Sequence, residues 1–142
     1  MSAADPRPAA VTAAFWALVV GAVLLMAGGL MAATVTFDAL RQAAPSTVSD
    51  DALRSYSRLY RGAGILFGVA AAALAAFAVR ARDGDPRFRR AAMTLGLTIV
   101  VLVGMAAVFA GTHILALLSL VPIVAGALLL SRPSVVEWCT HG

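Results

Sequence analysis

The chain has 142 residues, of which 61% are hydrophobic and 13% are charged, and its formal net charge is +4. Soluble domains are about half apolar and a quarter charged, so this composition excludes an ordinary soluble domain. It does not indicate nucleic-acid binding either, because the arginines gather at the ends of apolar segments instead of forming a basic face with interleaved aromatic residues. Four membrane spans with their loops would use nearly the whole length, so we expect one membrane domain over residues 1–142.

The first two predicted spans are separated by a polar loop. The first covers residues 9–37, a stretch without charged side chains that is long enough to tilt or to project beyond the lipid. The second covers residues 62–79, at the short end of the spanning range. Arg61 and Arg80 flank it, and both side chains can reach the membrane interfaces.

The loop between these spans is the only sizeable extramembrane segment, and it contains an amphipathic helix. Ser49 is the expected N-cap, and Asp50 follows in the first turn, where a carboxylate suits the helix dipole. This helix is expected to run directly into the second span. Its arginine row, at i, i+4 and i+7, consists of Arg54, Arg58 and Arg61. The row could contact lipid phosphates or an acidic patch on a partner, and the alternative is a solvated face with local pairing to Asp50.

The last two spans form a hairpin. Residues 91–131 contain no Asp, Glu, Lys or Arg, and one helix of that length would be roughly twice as long as the hydrocarbon core is thick. The segment must therefore fold back near His113, into spans over 91–110 and 114–130. The chain thus predicts an all-α integral membrane four-helix bundle built from two transmembrane hairpins.

The arginines also predict the orientation, because cytoplasmic loops retain Lys and Arg preferentially. Residues 80–90 hold five arginines, and placing this loop inside also places both termini inside. Seven of the eleven basic residues are then cytoplasmic, namely Arg7, Arg80, Arg82, Arg87, Arg89, Arg90 and Arg132. We expect a multi-pass protein of a bacterial plasma membrane with cytoplasmic N- and C-termini.

Isolated polar residues offer no metal or cofactor site. His113 has no second His, Cys or carboxylate near it in the sequence, so a helix-connecting role is expected. Cys139 is the only cysteine, which excludes an internal disulfide. Glu137, Cys139 and His141 match no standard zinc spacing, and the tail that carries them is expected to be mobile.

The second span carries the clearest interaction signal, a small-residue face. Small residues recur every four positions, at Gly64, Gly68, Ala72 and Ala76. Such a face lets another helix approach closely, with van der Waals contact as the driving force. Packing inside the same bundle and association with a second protein are both open interpretations.

Catalysis is not expected, because the predicted spans contain no carboxylate, no cysteine pair and no histidines at helical spacing. We instead expect a non-catalytic accessory or scaffold protein that associates through small-residue faces with itself or with a larger membrane complex. One alternative is a small oligomeric transporter or channel whose path is lined by Thr94, Thr98, Thr112 and Ser119. The other is a protein that binds a lipid or quinone in a groove between helices.

Three sequence segments carry a family resemblance. They are residues 48–51 (VSDD), 55–64 (SYSRLYRGAG) and 87–92 (RFRRAA), which accompany a Gly-rich first span that contains Trp16. Across nearly the full chain this pattern resembles uncharacterised four-span inner-membrane proteins of actinobacteria. The resemblance implies a bacterial origin, but no settled activity and no functional residue.

Overall fold

The computed structural model describes residues 6–109, 111 and 113–141, and these form six helices. In chain order they are α1 (Ala9–Ala33), α2 (Phe37–Ala43), α3 (Asp50–Arg82), α4 (Pro86–Phe109), α5 (Ile114–Leu130) and α6 (Pro133–His141). The described ranges contain no β-strand. The predicted all-helical class is therefore confirmed.

The described helices have the length and composition of a multi-pass membrane protein. Three of them, α1, α3 and α4, are long and apolar enough to cross a membrane. A fourth span is present if α5 and α6 count as one, although the two are bent by 61° at the break between them. The structure thus carries three or four candidate spans.

The four long helices pack through a seven-residue repeat. Buried positions are spaced alternately by three and four residues, as in left-handed helix packing with knobs in holes. In α1 the repeat includes Val11, Ala14, Leu18, Gly21, Leu25, Gly28 and Ala32. In α3 it includes Gly64, Phe67, Ala71, Leu74, Ala78 and Ala81, and shorter versions occur in α4 and α5. The core is thus a set of narrow seams between nearly aligned helices.

Helix α1 lies between α3 and α5, and α4 contacts both of these helices from the other side. Glycines allow the two close contacts of α1. A Cβ atom added at Gly28 would lie 2.9 Å from the backbone nitrogen of Ala116 in α5, and one at Gly29 would lie 2.6 Å from the carbonyl oxygen of Gly64 in α3. Both contacts place helix backbones against each other.

Helix α1 ends at Ala33, before the predicted end of the first span. Residues 34–36 are all β-branched, which lowers their helix propensity. The chain turns there, and the Thr36 side chain accepts a hydrogen bond from the Ala39 N–H to begin α2. The carbonyl group of Val35 accepts two hydrogen bonds from Arg61. A side chain of α3 thus satisfies a backbone group at the point where the helix is broken.

Helix α3 continues without interruption from the loop after α2 into the apolar segment, as the sequence predicts. Ser49 caps it by accepting a hydrogen bond from the Ala52 N–H at 3.2 Å. Helix α4 begins at Pro86, before residue 91, where the third span was expected to start. The expected end of that span, Ala110, lies outside the described residues.

The expectation of a mobile tail is wrong for residues 133–141, which form α6. Pro133 begins the helix, and Val135 and Cys139 are buried against the rest of the protein. Two buried residues four positions apart are enough to dock so short a helix. Two positions are too few to be recognised as a periodic pattern in the sequence.

Candidate functional site

The small-residue face of α3 divides into an internal part and an outward part. Gly64 is buried, and a Cβ atom added to it would lie 2.5 Å from the carbonyl oxygen of Gly29. One turn later, a Cβ atom at Gly68 would meet no described atom within 4 Å. Ala72 and Ala76 are exposed. The outward face therefore consists of Gly68, Ala72 and Ala76.

Helix geometry explains this division. Successive residues are about 100° apart, so residues four positions apart are displaced by about 40° around the axis. A row with four-residue spacing therefore winds round the helix, while positions that repeat after seven residues stay near one side. Between Gly64 and Ala76 the row turns through about 120°, which carries it from α1 to the outer surface.

The members of the arginine row have different surroundings. Arg61 donates to the Val35 carbonyl oxygen from Nε at 3.0 Å and from Nη2 at 2.6 Å. Arg54 lies 3.6 Å from Asp51, and both of these side chains are largely exposed, so the pair is weak. Arg58 makes no hydrogen bond or ion pair with a described residue. Arg61 therefore has a structural role, and Arg58 is the arginine most open to a headgroup or partner.

Sequence reasoning missed the role of Arg41, which lies in α2. Its Nη1 donates to the Val48 carbonyl oxygen at 2.7 Å and lies 3.1 Å from Asp50, and its Nη2 donates to the Pro45 carbonyl oxygen at 2.8 Å. These bonds tie α2 to the start of α3. The partners of Arg41 are up to nine residues away, so a local sequence pattern does not predict these bonds.

A cavity of about 250 Å³ lies among the C-terminal ends of α1 and α4 and the N-terminal parts of α3 and α5. Its wall is almost entirely apolar. Four ring-bearing residues line it, namely Tyr56, Tyr60, Phe67 and His113. Small residues supply much of the remaining wall, namely Gly28, Ala32, Ala63, Gly64, Ala106 and Ala116. The cavity exists because small side chains leave unfilled the space that larger ones would occupy.

His113 combines a structural role with a place in the cavity wall. It directly precedes α5, and its Nδ1 accepts a hydrogen bond from the Leu115 N–H at 3.2 Å. A neutral imidazole that accepts through Nδ1 carries its proton on Nε2. The ring therefore caps α5 with one nitrogen and keeps an N–H donor on the other.

The polar residues considered for a permeation path do not converge in one chain. Thr94 and Thr98 lie on the exposed side of α4, where the Thr98 hydroxyl donates to the Thr94 carbonyl oxygen at 2.8 Å. Ser119 is buried in α5 and donates to the Ala116 carbonyl oxygen at 2.5 Å. Thr112 lies outside the described residues. The hydroxyls of Thr98 and Ser119 thus bond to their own helices.

At the opposite end of the protein, α6 packs beneath the helices. The Arg7 guanidinium lies 5.7 Å from the centroid of the Trp138 ring. A Cβ atom at Gly84 would lie 3.3 Å from the same ring, and Gly84 has a φ of +92°, which favours glycine in this tight turn. The N-terminal segment, the α3–α4 turn and α6 therefore meet at one end.

Cys139 is a packing residue in α6, with 2% of its surface exposed. Burial raises the pKa of its thiol, and the nearby Arg89 guanidinium partly opposes this effect. Glu137 and His141 do not complete a ligand set with it, since no group of three His, Cys, Asp or Glu among the described residues could hold a metal ion. The tail is thus a structural element in its described part.

No family model, curated protein or solved structure matches this chain. Its function must therefore be inferred from its own geometry. Among the described features that internal packing does not explain are the outward face of α3 and the cavity.

Proposed function

We propose that this chain is a non-catalytic accessory or scaffold protein of a bacterial plasma membrane. In this proposal α1, α3, α4 and α5 are the four spans of a bundle made of two hairpins. The bilayer is the solvent of the protein. The outer surface of the bundle associates with a second copy or with helices of a larger membrane complex.

The observation that supports the proposal is the outward face of α3. Gly68, Ala72 and Ala76 present little more than backbone and methyl groups, and the space beside Gly68 is open. Helices in lipid associate chiefly through close van der Waals packing, which small residues permit. The contact between Gly29 and Gly64 illustrates how closely two helices of this chain approach when both faces are small.

The arginine row would add to association at the outer end. Arg58 makes no hydrogen bond or ion pair with a described residue. Arg54 has an exposed ion pair with Asp51, and its guanidinium lies 5.7 Å from the centroid of the Phe37 ring. Guanidinium groups bind carboxylates and phosphates through paired N–H donors. An acidic patch on the associated protein, or an anionic headgroup between the two proteins, would therefore fit this surface.

Association is favoured over permeation by the placement of the hydroxyl groups. A path through an oligomer would need polar groups on the surface shared by neighbouring chains. Ser119 is fully buried within one chain. Among the described residues considered for the path, only Thr94 and Thr98 therefore reach the surface. Two hydroxyls on one helix, of which the Thr98 hydroxyl already donates within α4, make a poor lining for a polar path.

Replacement of Gly68 by leucine tests the proposal. Purified from native membranes in a mild detergent, the wild-type protein should carry a stoichiometric partner or elute as a defined oligomer. Gly68→Leu should reduce the recovered complex at least about tenfold, because the new side chain fills the space that an approaching helix needs. Size-exclusion chromatography with light scattering measures both outcomes.

Gly104→Leu is the matched control, because a Cβ atom at Gly104 also meets no described atom within 4 Å, but on α4. It should leave the complex intact. A wild-type protein that is monomeric and without a partner would contradict the proposal. So would an equal loss of the complex in the two variants.

We further propose that the end that carries α6 faces the cytoplasm. The contacts among Arg7, Gly84 and Trp138 bring both terminal segments and the arginine-rich α3–α4 turn to one end. Cytoplasmic segments retain arginine preferentially. The same charge distribution therefore favours cytoplasmic N- and C-termini.

Labelling of single cysteines tests this orientation. Native Cys139 is unsuitable, because its burial protects it on either side of the membrane, so Cys139→Ala is the background. Ser55 and Ser134 are both exposed, on α3 and α6. In intact cells an impermeant maleimide should label Ser55→Cys, and it should label Ser134→Cys only after permeabilisation. The reverse pattern would place both termini outside.

A further inference from the structure

The cavity at the outer ends of the helices is reached from the protein surface. Leu59, which is 74% exposed, forms part of its wall, and the ring pair of Tyr56 and Tyr60 lies beside it. These residues belong to the part of α3 that joins the outer loop to the apolar segment. A molecule dissolved in the outer region of the bilayer could therefore enter without crossing the protein core.

A membrane ligand needs a reason to leave the lipid. An acyl chain is already in an apolar solvent, so burying it in an apolar cavity adds little, and ordering it costs conformational entropy. A ligand gains from the cavity only through contacts that lipid tails lack. Aromatic stacking on the ring-bearing residues and hydrogen bonding to their polar groups are such contacts.

The ring-bearing residues supply the stacking surface. The rings of Tyr56 and Tyr60 are stacked with centroids 5.6 Å apart, and Phe67 and His113 also line the cavity. An added aromatic pair contributes to binding beyond the burial of its area. A planar ring is rigid, so it also loses less entropy than a chain when it is held.

His113 supplies the donor. Because its Nδ1 accepts from the Leu115 N–H, the neutral ring carries its proton on Nε2. The described residues that line the cavity include no Asp, Glu, Lys or Arg, so the wall suits an uncharged acceptor such as a carbonyl group.

The volume sets the size of the ring. An apolar protein cavity of roughly 150 Å³ accommodates benzene. A cavity of about 250 Å³ is therefore suited to one substituted ring or two fused rings, while a longer tail would have to remain outside in the lipid.

We propose that this cavity binds the ring of an uncharged, carbonyl-bearing aromatic or quinone-type membrane molecule, with its apolar tail in the bilayer. Small residues provide the space, the rings of α3 stack on the ligand, and His113 donates to its carbonyl group. This site is independent of the outward face of α3.

Native mass spectrometry of the detergent-solubilised protein tests this site with three probes. They are 2-methyl-1,4-naphthoquinone, which has both ring and carbonyl groups, naphthalene, which has the ring alone, and phosphatidylcholine, which has acyl chains. One naphthoquinone should bind per chain, at least about tenfold more tightly than naphthalene. Phosphatidylcholine should not displace it.

Variants of the wall locate the binding. Ala63→Phe should abolish naphthoquinone binding by filling the cavity, and Ala106→Met should weaken it from the facing helix. Ala125→Phe, on the exposed side of α5, is the matched control and should bind as the wild type does. His113→Ser retains an oxygen able to cap α5 but removes the ring N–H, so affinity should fall about tenfold while helix content is unchanged.

Three results would overturn the proposal. The first is equal affinity for naphthalene and naphthoquinone. The second is binding that survives both cavity-filling variants while each remains helical and monodisperse. The third is displacement of naphthoquinone by phosphatidylcholine, which would identify the cavity as an acyl-chain groove.

Discussion

Replacing Gly64 with alanine is expected to lower the free energy of unfolding by about 3 kcal/mol, the upper end of the usual cost of overpacking a core. The added methyl carbon would lie 2.5 Å from the carbonyl oxygen of Gly29 and 2.8 Å from the backbone nitrogen of Ala33. Backbone atoms cannot rotate away as a side chain can, so α1 and α3 would have to separate. Unfolding by sodium dodecyl sulfate in mixed micelles, followed by circular dichroism, measures the change.

Gly68→Ala is the control, because it adds the same methyl group one turn along the same helix into open space. Alanine is a better helix former than glycine by about 0.5–1 kcal/mol, so this variant should be unchanged or slightly more stable. Only Gly64→Ala should thus lower the free energy of unfolding. Equal effects would mean that the contact between Gly29 and Gly64 does not limit the approach of the helices.

A double variant sharpens this result. Gly29→Ala attacks the same contact from α1, since its Cβ atom would lie 2.6 Å from the Gly64 carbonyl oxygen. Once one methyl group has moved the helices apart, the second has less to displace. The double variant should therefore cost less than the sum of the single ones, whereas strict additivity would indicate two independent sites.

The helical class could be predicted from sequence because it depends on local properties. Long uncharged runs can satisfy their backbone polar groups in lipid only as helices or closed barrels, and no alternating strand pattern is present. The start of α3 was equally local, since Ser49 needs only the N–H of Ala52, three residues away. Such features require no knowledge of distant contacts.

The end of α1 was missed although the chain carries a signal for it. Residues 34–36 are apolar or neutral, so they extend the hydropathic run, but all three are β-branched. The decisive contribution comes from Arg61, which satisfies the carbonyl group of Val35 from α3. A bond between residues 26 positions apart is not visible in a local pattern.

The packing register was also hidden, because hydropathy hardly separates core from lipid-facing positions in this chain. Leu30 faces outward and Leu25 is buried, yet both are leucines. What distinguishes the core is a seven-residue repeat rich in small residues. The small-residue face of α3, with its four-residue spacing, leaves the core one turn after Gly64. The cavity depends on four helices at once, so neither its volume nor the inclusion of His113 in its wall could be predicted from spacing.

Replacing Leu18 with alanine is expected to cost about 2–5 kcal/mol, the usual range for a fully buried leucine. Leu18 is 0% exposed and packs onto α5 so closely that a Cβ atom at Gly126 would lie 2.7 Å from its Cγ. The substitution leaves Gly126 facing a void that α5 cannot fill without losing its other contacts. Detergent-induced unfolding of the variant and the wild type measures the difference.

Leu30→Ala separates packing from hydrophobicity in this prediction. Leu30 lies on the same helix but is 59% exposed. In the bilayer its side chain therefore contacts lipid in both the folded and the unfolded state. Both leucines are shielded from water, Leu18 by protein and Leu30 by lipid. If shielding from water stabilised the fold, the two substitutions would remove similar apolar surface and cost similar amounts. Because lipid is as apolar as leucine, only the lost van der Waals contacts of Leu18 should count, and Leu30→Ala should change stability by less than about 1 kcal/mol. Equal costs for the two variants would show that close packing along α1 is not what holds the helices together.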